Sequence, residues 1–361
     1  MKFYFYNVED DLQKYPDAWI YIVIGGRNTG KTYSSLKYCY ENKKKFVFLK
    51  RTMDDVHLLC SGRGRLGSRQ REYGVDLSPF KSLNRDMHWN VNAFEIEKGL
   101  GGFWEVDADG EPEGDPIGYI LALSGVSKFK GFDLSDCEIM IFDEFIPQPW
   151  ERVQRKEGEQ IMDLYKTISR AREHFDQTPL KVLALANATK VSNPLMNILE
   201  ITDAVVQMQN VKLPEYYIKE RGILIRNIID NVAFKEKEKQ SVIYKAMGNT
   251  AWGQMALENE FGYDDFSAVK KGCLKNMRCL LKLHYKNKDY YIYEGSGRWY
   301  MCRSKNLYPA HTYDLNKENE QKDFYINDWI DVHLASIEGR MMFETYSMYD
   351  LIMNYKKFFT L

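Results

Sequence analysis

No uninterrupted apolar run in this chain approaches the ~18 residues that a membrane-spanning helix needs; the longest strong one is Ala18 to Ile24. The N-terminus, Met1-Lys2-Phe3-Tyr4-Phe5-Tyr6, has no extended apolar region followed by a small-residue cleavage site, so it does not read as a signal peptide. A Cys-x-x-Cys pair is missing too. The six cysteines (Cys39, Cys60, Cys137, Cys273, Cys279 and Cys302) are scattered, which argues for reduced thiols in a cytosolic protein and against a disulfide framework or a zinc site. Neither sign of charge is in excess: 50 basic against 51 acidic side chains give a net charge of −1. That excludes a globally basic nucleic-acid coat and leaves room for a local basic patch. Core material, by contrast, is plentiful. At 44% hydrophobic and 14% aromatic residues the chain is not mainly disordered, and its length predicts about two domains.

Ala18-Trp-Ile-Tyr-Ile-Val-Ile24 is a β-branched and aromatic run that reads as a buried strand. It leads into Gly25-Gly26-Arg27-Asn28-Thr29-Gly30-Lys31-Thr32 and then a plausible helix, Tyr33 to Tyr40. This is G-x-x-x-x-G-K-[ST] in the strand–loop–helix setting that a phosphate-binding loop requires. Gly25 and Gly30 let the backbone curl so that successive N–H groups point inward, and the helix N-terminus adds its positive end. Lys31 is expected to reach the β- and γ-phosphates of ATP, and the Thr32 hydroxyl to ligate Mg²⁺. A second buried run, Glu138 to Phe142, ends in Asp143-Glu144, the Walker B pattern. Asp143 would hold the metal shell and Glu144 would deprotonate the attacking water. The adjacent glutamate favours an ATPase that hydrolyses its nucleotide over a nucleotide kinase or a GTPase switch.

Further strands are expected at Phe46–Lys50, Gly118–Leu123 and Lys181–Ala186, alternating with helical stretches at 33–42 and 159–174. The alternation predicts a mostly parallel sheet wrapped by helices. Asn187 ends one of these strands, where open α/β sheets bind ligand, so it is either a sensor of the γ-phosphate or a turn cap. Arg170 and Arg172 lie on the second helix, and either could be a finger that neutralises the transferred phosphoryl group of a neighbouring subunit. Arg27, inside the loop, competes as a donor in cis. Residues 51–115 read as polar and irregular. Within them Ser61 to Arg71 packs arginines among glycines, and Ser127-Lys-Phe-Lys-Gly131 is a shorter basic segment; each suits phosphate contact or a plain surface loop.

In combination, the Arg-containing Walker A, Lys128-Phe-Lys-Gly131 leading into Ile139 to Glu144, and Ala184-Leu-Ala-Asn187 followed by Ser192-Asn-Pro194 resemble phage DNA-packaging ATPases. The compact Gly-Gly-Arg-x-x-Gly-Lys-Thr form points to the motor ATPases of small podophages, relatives of the large terminases. The resemblance implies an ASCE-type P-loop ATPase working as a homo-oligomeric ring, a pentamer, on the portal of an empty prohead. It implies ATP and Mg²⁺ as cofactors, double-stranded DNA as the translocated partner, and a packaging RNA as a further possible partner. The protein would act in the host cytoplasm, transiently on the prohead, and be absent from the mature virion. Asn187 would be the coupling residue and Arg170 or Arg172 the trans-acting finger.

The expected division is an ATPase domain at 1–205, a linker or lid at 206–258, and a C-terminal domain at 259–361. The last shows hairpin-like runs, Cys279 to Tyr285, Tyr290 to Tyr293 and Arg298 to Cys302, then helical segments at 327–334 and 348–359. This pattern matches the start of the RNase H-like α/β fold that large terminases carry as a nuclease. A two-metal nuclease needs converging carboxylates, but the first strand here, Leu-Leu-Lys-Leu-His-Tyr, has none. Asp314, Asp328, Asp331 and Asp350 follow downstream without it. The expectation is a nuclease-like domain without nuclease activity, used to bind nucleic acid or portal. His284 and His311 are expected to be ordinary residues. The competing readings are a terminase with an active nuclease and a P-loop switch without steady turnover.

Overall fold

The computed structural model of the chain describes residues 5–60, 77–129, 131–148, 151, 153–154, 156–170, 172–175, 177–229, 236, 239–250 and 266–359. The basic loop Ser61 to Arg71, Lys130, and most of the charged run Lys235 to Lys239 with the stretch 251–258 beyond it lie outside the described residues. Two compact units form, one from Met1–Ile198 with Met208–Tyr263, the other from Leu199–Gln207 with Asp264–Leu361.

The first unit is built on nine strands: β1 (Ile20–Gly25), β2 (Phe46–Lys50), β3 (Val91–Glu97), β4 (Leu100–Val106), β5 (Pro112–Ala122), β6 (Ile139–Asp143), β7 (Lys181–Ala186), β8 (Glu215–Ile218) and β9 (Ile223–Ile228). Their order across the sheet is β3-β4-β5-β2-β6-β7-β1-β9-β8. From β5 to β9 every neighbour pairs in parallel, and antiparallel hairpins close both edges. The strand bearing the Gly-rich loop (β1) and the strand ending in Asp-Glu (β6) are therefore separated by one inserted strand, β7. That insertion is the ASCE arrangement expected from the sequence.

The central strands are apolar along their whole length because both faces are covered. Tyr21, Val23, Phe46, Phe48, Ile139, Ile141, Leu183 and Leu185 share one core. That core also takes in Val8 of α1 (Val8–Lys14), Leu36 and Cys39 of α2 (Lys31–Glu41), Val56 of α3 (Met53–Cys60) and Leu83 of α4 (Lys81–Met87). The alternate residues Ile20, Ile22, Val47, Leu49, Met140 and Phe142 are equally buried. Burial of one such side chain contributes about 1.5–3 kcal/mol relative to exposure.

Two segments differ from expectation. The described residues of 51–115, namely 51–60 and 77–115, supply α3, α4, the β3–β4 hairpin and the start of β5, where an irregular segment is expected. Within them the buried strand residue Glu95 meets His57 Nδ1 at 2.9 Å, so its carboxylate is partnered inside the fold. The segment 206–258 contributes β8 and β9 to the sheet. Gly222 turns the hairpin at φ 59°, and Arg226, which breaks the apolar run of β9, pairs with Glu215 at 2.8 Å.

The second unit is a five-stranded sheet of β10 (Arg278–Tyr285), β11 (Lys288–Gly295), β12 (Arg298–Cys302), β13 (His311–Asp314) and β14 (Met341–Phe343), ordered β13-β10-β11-β12-β14. β10 to β12 form an antiparallel meander, joined by Lys286-Asn287 and Ser296-Gly297 in left-handed backbone, the geometry that fits strand twist. β13 then returns parallel to β10, and β14 adds parallel to β12 at the opposite edge. The helix Glu318–Phe324 runs on through a π turn, Tyr325–Trp329, into Ile330–Ile337. Phe324, Val332 and Ala335 from this stretch close over Leu283, Ile292 and Met301 of the sheet. A mixed sheet with its helices after the meander is the small C-terminal α/β domain expected.

Candidate nucleotide site

The carboxyl ends of β1, β7 and β6 lie side by side, and each delivers a polar side chain. After β1 the chain turns through Gly26 to Gly30, with Asn28 at φ 60° and Gly30 at φ 90°, and enters α2 at Lys31. Gly30 is required here, since a left-handed backbone strains any residue with a Cβ and the added carbon would sit 3.0 Å from the Phe5 side chain. Thr29 Oγ1 donates to Gly26 O at 3.0 Å and holds the curl from inside, while Tyr6 N donates to Thr29 O at 3.0 Å from outside. Arg27 and Asn28 are exposed at the crest of the loop.

Lys31 is folded back into its own loop. Its Nζ donates to Gly26 O at 2.8 Å, Gly25 O at 3.0 Å, Thr29 Oγ1 at 3.3 Å and Asn187 Oδ1 at 3.3 Å. Burial pushes its pKa down to about 8, against the pull of Asp143 and Glu144 and helped by the Arg27 charge. Asn187, at the exit of β7, is thus in direct contact with the loop lysine. Thr32 Oγ1 donates to Asp143 Oδ1 at 2.8 Å. The other carboxylate oxygen, Oδ2, takes Lys50 Nζ from the end of β2 at 3.0 Å. Burial alone would lower the Lys50 pKa, but Asp143 and Glu144 outweigh it and hold the ammonium above its ordinary value.

Glu144 is exposed beside Asp143 with φ 58°, a left-handed conformation that costs an ordinary residue about 1–2 kcal/mol. The next residue is pinned, Phe145 N donating to Leu185 O at 3.1 Å.

The two arginines part company. The second helix, α5 (Glu157–Ser169), ends earlier than expected, with Arg170 as its left-handed cap at φ 39°. Arg170 is exposed, donating to Phe132 O at 2.9 Å and lying 3.4 Å from Asp133. Arg172 belongs to a following 3₁₀ turn and is buried to 8% exposure, with Nη1 on the carbonyl oxygen of Cys137. A cation must reach a neighbour's nucleotide to act in trans, and among the two only Arg170 stands at the surface.

Lys50 and Arg51 carry no expected role beyond marking a strand exit, yet both reach this site. Their signal was positional: consecutive cations at the carboxyl end of a parallel strand adjacent to β6.

The Thr32 hydroxyl and Asp143 carboxylate are hard oxygen donors in mutual contact, which fits Mg²⁺. That ion needs only one or two protein oxygens, because water and phosphates complete its shell. In the second unit three of the four downstream aspartates are engaged separately. Asp328 accepts from Tyr313 Oη at 2.5 Å and lies 3.0 Å from His311, Asp314 pairs with Lys317 at 3.3 Å, and Asp350 accepts from Asn354 at 2.7 Å. Among the described residues no three His, Cys, Asp or Glu side chains gather as a metal-binding group, and no helix is long and apolar enough to cross a membrane.

The model of the family described as Podovirus DNA encapsidation protein (Gp16) matches residues 113–346, from β5 through the Asp-Glu strand, α5 and Asn187 to β14. The chain belongs to that family. It is a phage DNA-packaging protein, as the sequence resemblance implied. Solved structures agree in fold. The Phi-28 gp11 DNA packaging motor is 15% identical, covering 100% of this chain and 99% of that one at a TM-score of 0.60. The bacteriophage Phi-29 viral genome packaging motor assembly is 16% identical, covering 98% and 99%, at 0.63. Among curated proteins none matches this chain.

Proposed function

We propose that this DNA-packaging protein is the ATP-hydrolysing subunit of a homo-pentameric ring that drives double-stranded DNA through the portal into a prohead. The observation that carries the reading is the convergence of Lys31 with Asn187 and of Thr32 with Asp143 at the carboxyl ends of three adjacent parallel strands. The backbone amides of Gly25 to Thr32 cradle the phosphates, with Arg27 and Asn28 at the crest and Thr29 holding the curl from inside. Lys31 leaves its own carbonyls for the β- and γ-oxygens. Those carbonyls keep it aimed at the loop until a polyanion outbids them. Thr32 and Asp143 hold Mg²⁺, which when bound neutralises charge developing on the phosphates.

Glu144 accepts a proton from the water that attacks the γ-phosphorus. The bond to the β–γ bridging oxygen breaks, and ADP and inorganic phosphate leave. Asn187, already on Lys31, loses that partner when the lysine moves to phosphate and so reports nucleotide state along β7. Arg170 of one subunit reaches the nucleotide of the next. In the second unit Lys282, Lys286, Lys288, Arg298, Arg303 and Lys305 supply cations for DNA, packaging RNA or portal, without cleavage. The part of 206–258 that follows β9 serves as a linker or lid. The protein works in the host cytoplasm, transiently on the prohead, and is left out of the mature virion.

The test is ATP hydrolysis by the purified protein with and without double-stranded DNA, alongside Glu144→Gln. Turnover stimulated by DNA, abolished in E144Q with ATP binding retained, is the expected result. Hydrolysis unchanged in E144Q removes that residue from the reaction, and no hydrolysis by the wild type under packaging conditions removes the motor reading.

A further inference from the structure

The two outer sides of the second unit each carry an apolar patch that the fold leaves uncovered. Along β11, Tyr290 and Ile292 point into the core beneath the helical stretch from Glu318 to Ile337. Tyr291 and Tyr293 alternate with them and face the other way, beside Cys279, Tyr300 and Cys302. The segment 303–310 leads from β12 to β13 across this second side. It is held by Tyr293, whose Oη donates to Ser304 O at 2.8 Å and accepts from Asn306 N at 2.9 Å. Past that anchor Leu307 and Tyr308 stand exposed, Tyr308 to 88%. Lys305 Nζ lies 4.9 Å from the centre of the Tyr308 ring, and Arg303 is exposed in the same loop. On the opposite side Ile326, Ile330, Leu334 and Ile337 are exposed at spacings of four, four and three, a continuous ridge on one helix face. Exposed Asp323, Asp331 and Glu338 flank it.

We propose that in the assembled ring the Leu307-Tyr308 tip of one subunit seats on the Ile326 to Ile337 ridge of the next, a head-to-tail contact between second units. It rests on the ring reading above and adds a surface that joins neighbours away from the nucleotide. Single exposed apolar side chains are ordinary, but four on one helix face form a patch of the kind that marks an interaction surface. The charges select the occupant. An acid-flanked ridge repels the phosphates of DNA or RNA and suits a tip that brings Arg303 and Lys305 with it. Tyrosine beside arginine is also the composition of interface centres. The placement sets the symmetry. Tip and ridge lie on opposite sides of one sheet, so two copies cannot satisfy both patches by a twofold exchange. Each copy offers a tip to one neighbour and a ridge to the other, the arrangement that closes into a ring. Fully buried Tyr293 orders the tip before a neighbour arrives, so docking loses little conformational freedom. The contact is small against the ~20–30 residues a side of a stable interface, so it is weak between free subunits and gains by repetition around the ring.

Cross-linking in the full chain tests the contact. Among the described residues Cys273 is the exposed thiol, the other cysteines being buried, so the background is Cys273→Ser. One preparation carries Tyr308→Cys and another Ile330→Cys or Leu334→Cys. These positions are exposed, and melting should stay within about 2 °C of the background. Oxidised separately, neither preparation should give a covalent dimer. Mixed and oxidised, they should give one on a non-reducing gel, with a yield lower by about fivefold when Arg303→Glu/Lys305→Glu is added beside Tyr308→Cys. Phosphate release by mixed Arg170→Gly and Glu144→Gln subunits, under the same conditions, shows whether subunits meet at the nucleotide. Restored hydrolysis without a mixed dimer leaves the ring standing and refutes this contact. A dimer as abundant from either preparation alone as from the mixture also refutes it, since chance collision then suffices. Neither dimer nor restored hydrolysis refutes the ring reading together with the contact.

Discussion

Removal of Arg172 and of Arg170 should have opposite signatures, although the residues are two apart in sequence. Arg172→Ala strips a buried side chain whose Nη1 satisfies the carbonyl oxygen of Cys137, a residue that is itself fully buried. An unsatisfied buried carbonyl costs about 1–3 kcal/mol. Among the described residues Arg172 Nε has no partner, so its removal returns part of that cost, and the net loss should be about 1–2 kcal/mol. For a unit of this size that lowers the melting temperature by about 2–8 °C. Turnover per folded subunit should hardly change.

Arg170→Ala removes an exposed pair with Asp133, worth at most about 1 kcal/mol, and should leave melting nearly unaltered. Arg170→Gly is sharper still, for glycine relaxes the φ 39° cap and should stabilise the fold by about 0.5–1 kcal/mol. Both changes at 170 should nevertheless cut DNA-stimulated hydrolysis by about 10³-fold or more in the assembled ring. A more stable protein that no longer turns over is the diagnostic outcome. Mixing Arg170→Gly with Glu144→Gln subunits should restore some hydrolysis, since each then supplies what the other lacks. The assay is differential scanning fluorimetry with a phosphate-release measurement on the same samples. Full turnover in the Arg170 variants, or turnover lost in Arg172→Ala without a change in melting, refutes the reasoning.

Lys31, with its pKa pushed down to about 8 by burial, is largely charged at pH 7 and largely neutral at pH 9 in the free protein. A bound polyphosphate requires the ammonium, so calorimetry in buffers of different ionisation enthalpy should register proton uptake above about pH 8 and little at pH 7, with affinity falling as pH rises through that window. The same shift means the charged form is disfavoured in the fold, a cost present below pH 8 and relieved toward the ordinary lysine value. Gly30→Ala should cost about 1–2 kcal/mol through its φ of 90°, and Phe5→Ala in the same chain should fail to restore it, because the strain is in the backbone and not the 3.0 Å contact; chemical denaturation measures both. Plasmid DNA incubated with the protein and millimolar Mn²⁺ should remain uncut on a gel, and Asp328→Asn should lower stability through Tyr313 and His311 without exposing any cleavage activity.

The Gly-rich loop between strand and helix was legible from residues 18–40 alone because everything that makes it is local: an apolar strand, a glycine where the backbone turns left-handed, and a helix beyond it, which begins at Lys31 rather than Tyr33. The Asp-Glu strand and the hairpin-like runs from Cys279 to Cys302 were legible for the same reason. Tertiary structure decided the rest. Lys31 and Asn187 are 156 residues apart and meet only because β7 inserts between β1 and β6. Nothing in the periodicity of either strand encodes which neighbour it takes, since parallel strands buried on both faces read alike. Lys50 and Arg51 looked like an ordinary strand exit until β2 was set beside β6, which gave one of them Asp143 and the other the Glu144 turn. Arg170 and Arg172 fitted the same helix until the helix stopped at Ser169, and a left-handed cap turned one outward while the next turn buried the other. Local sequence fixes backbone conformation; which side chains face one another depends on pairings between distant segments, and those the fold alone supplies.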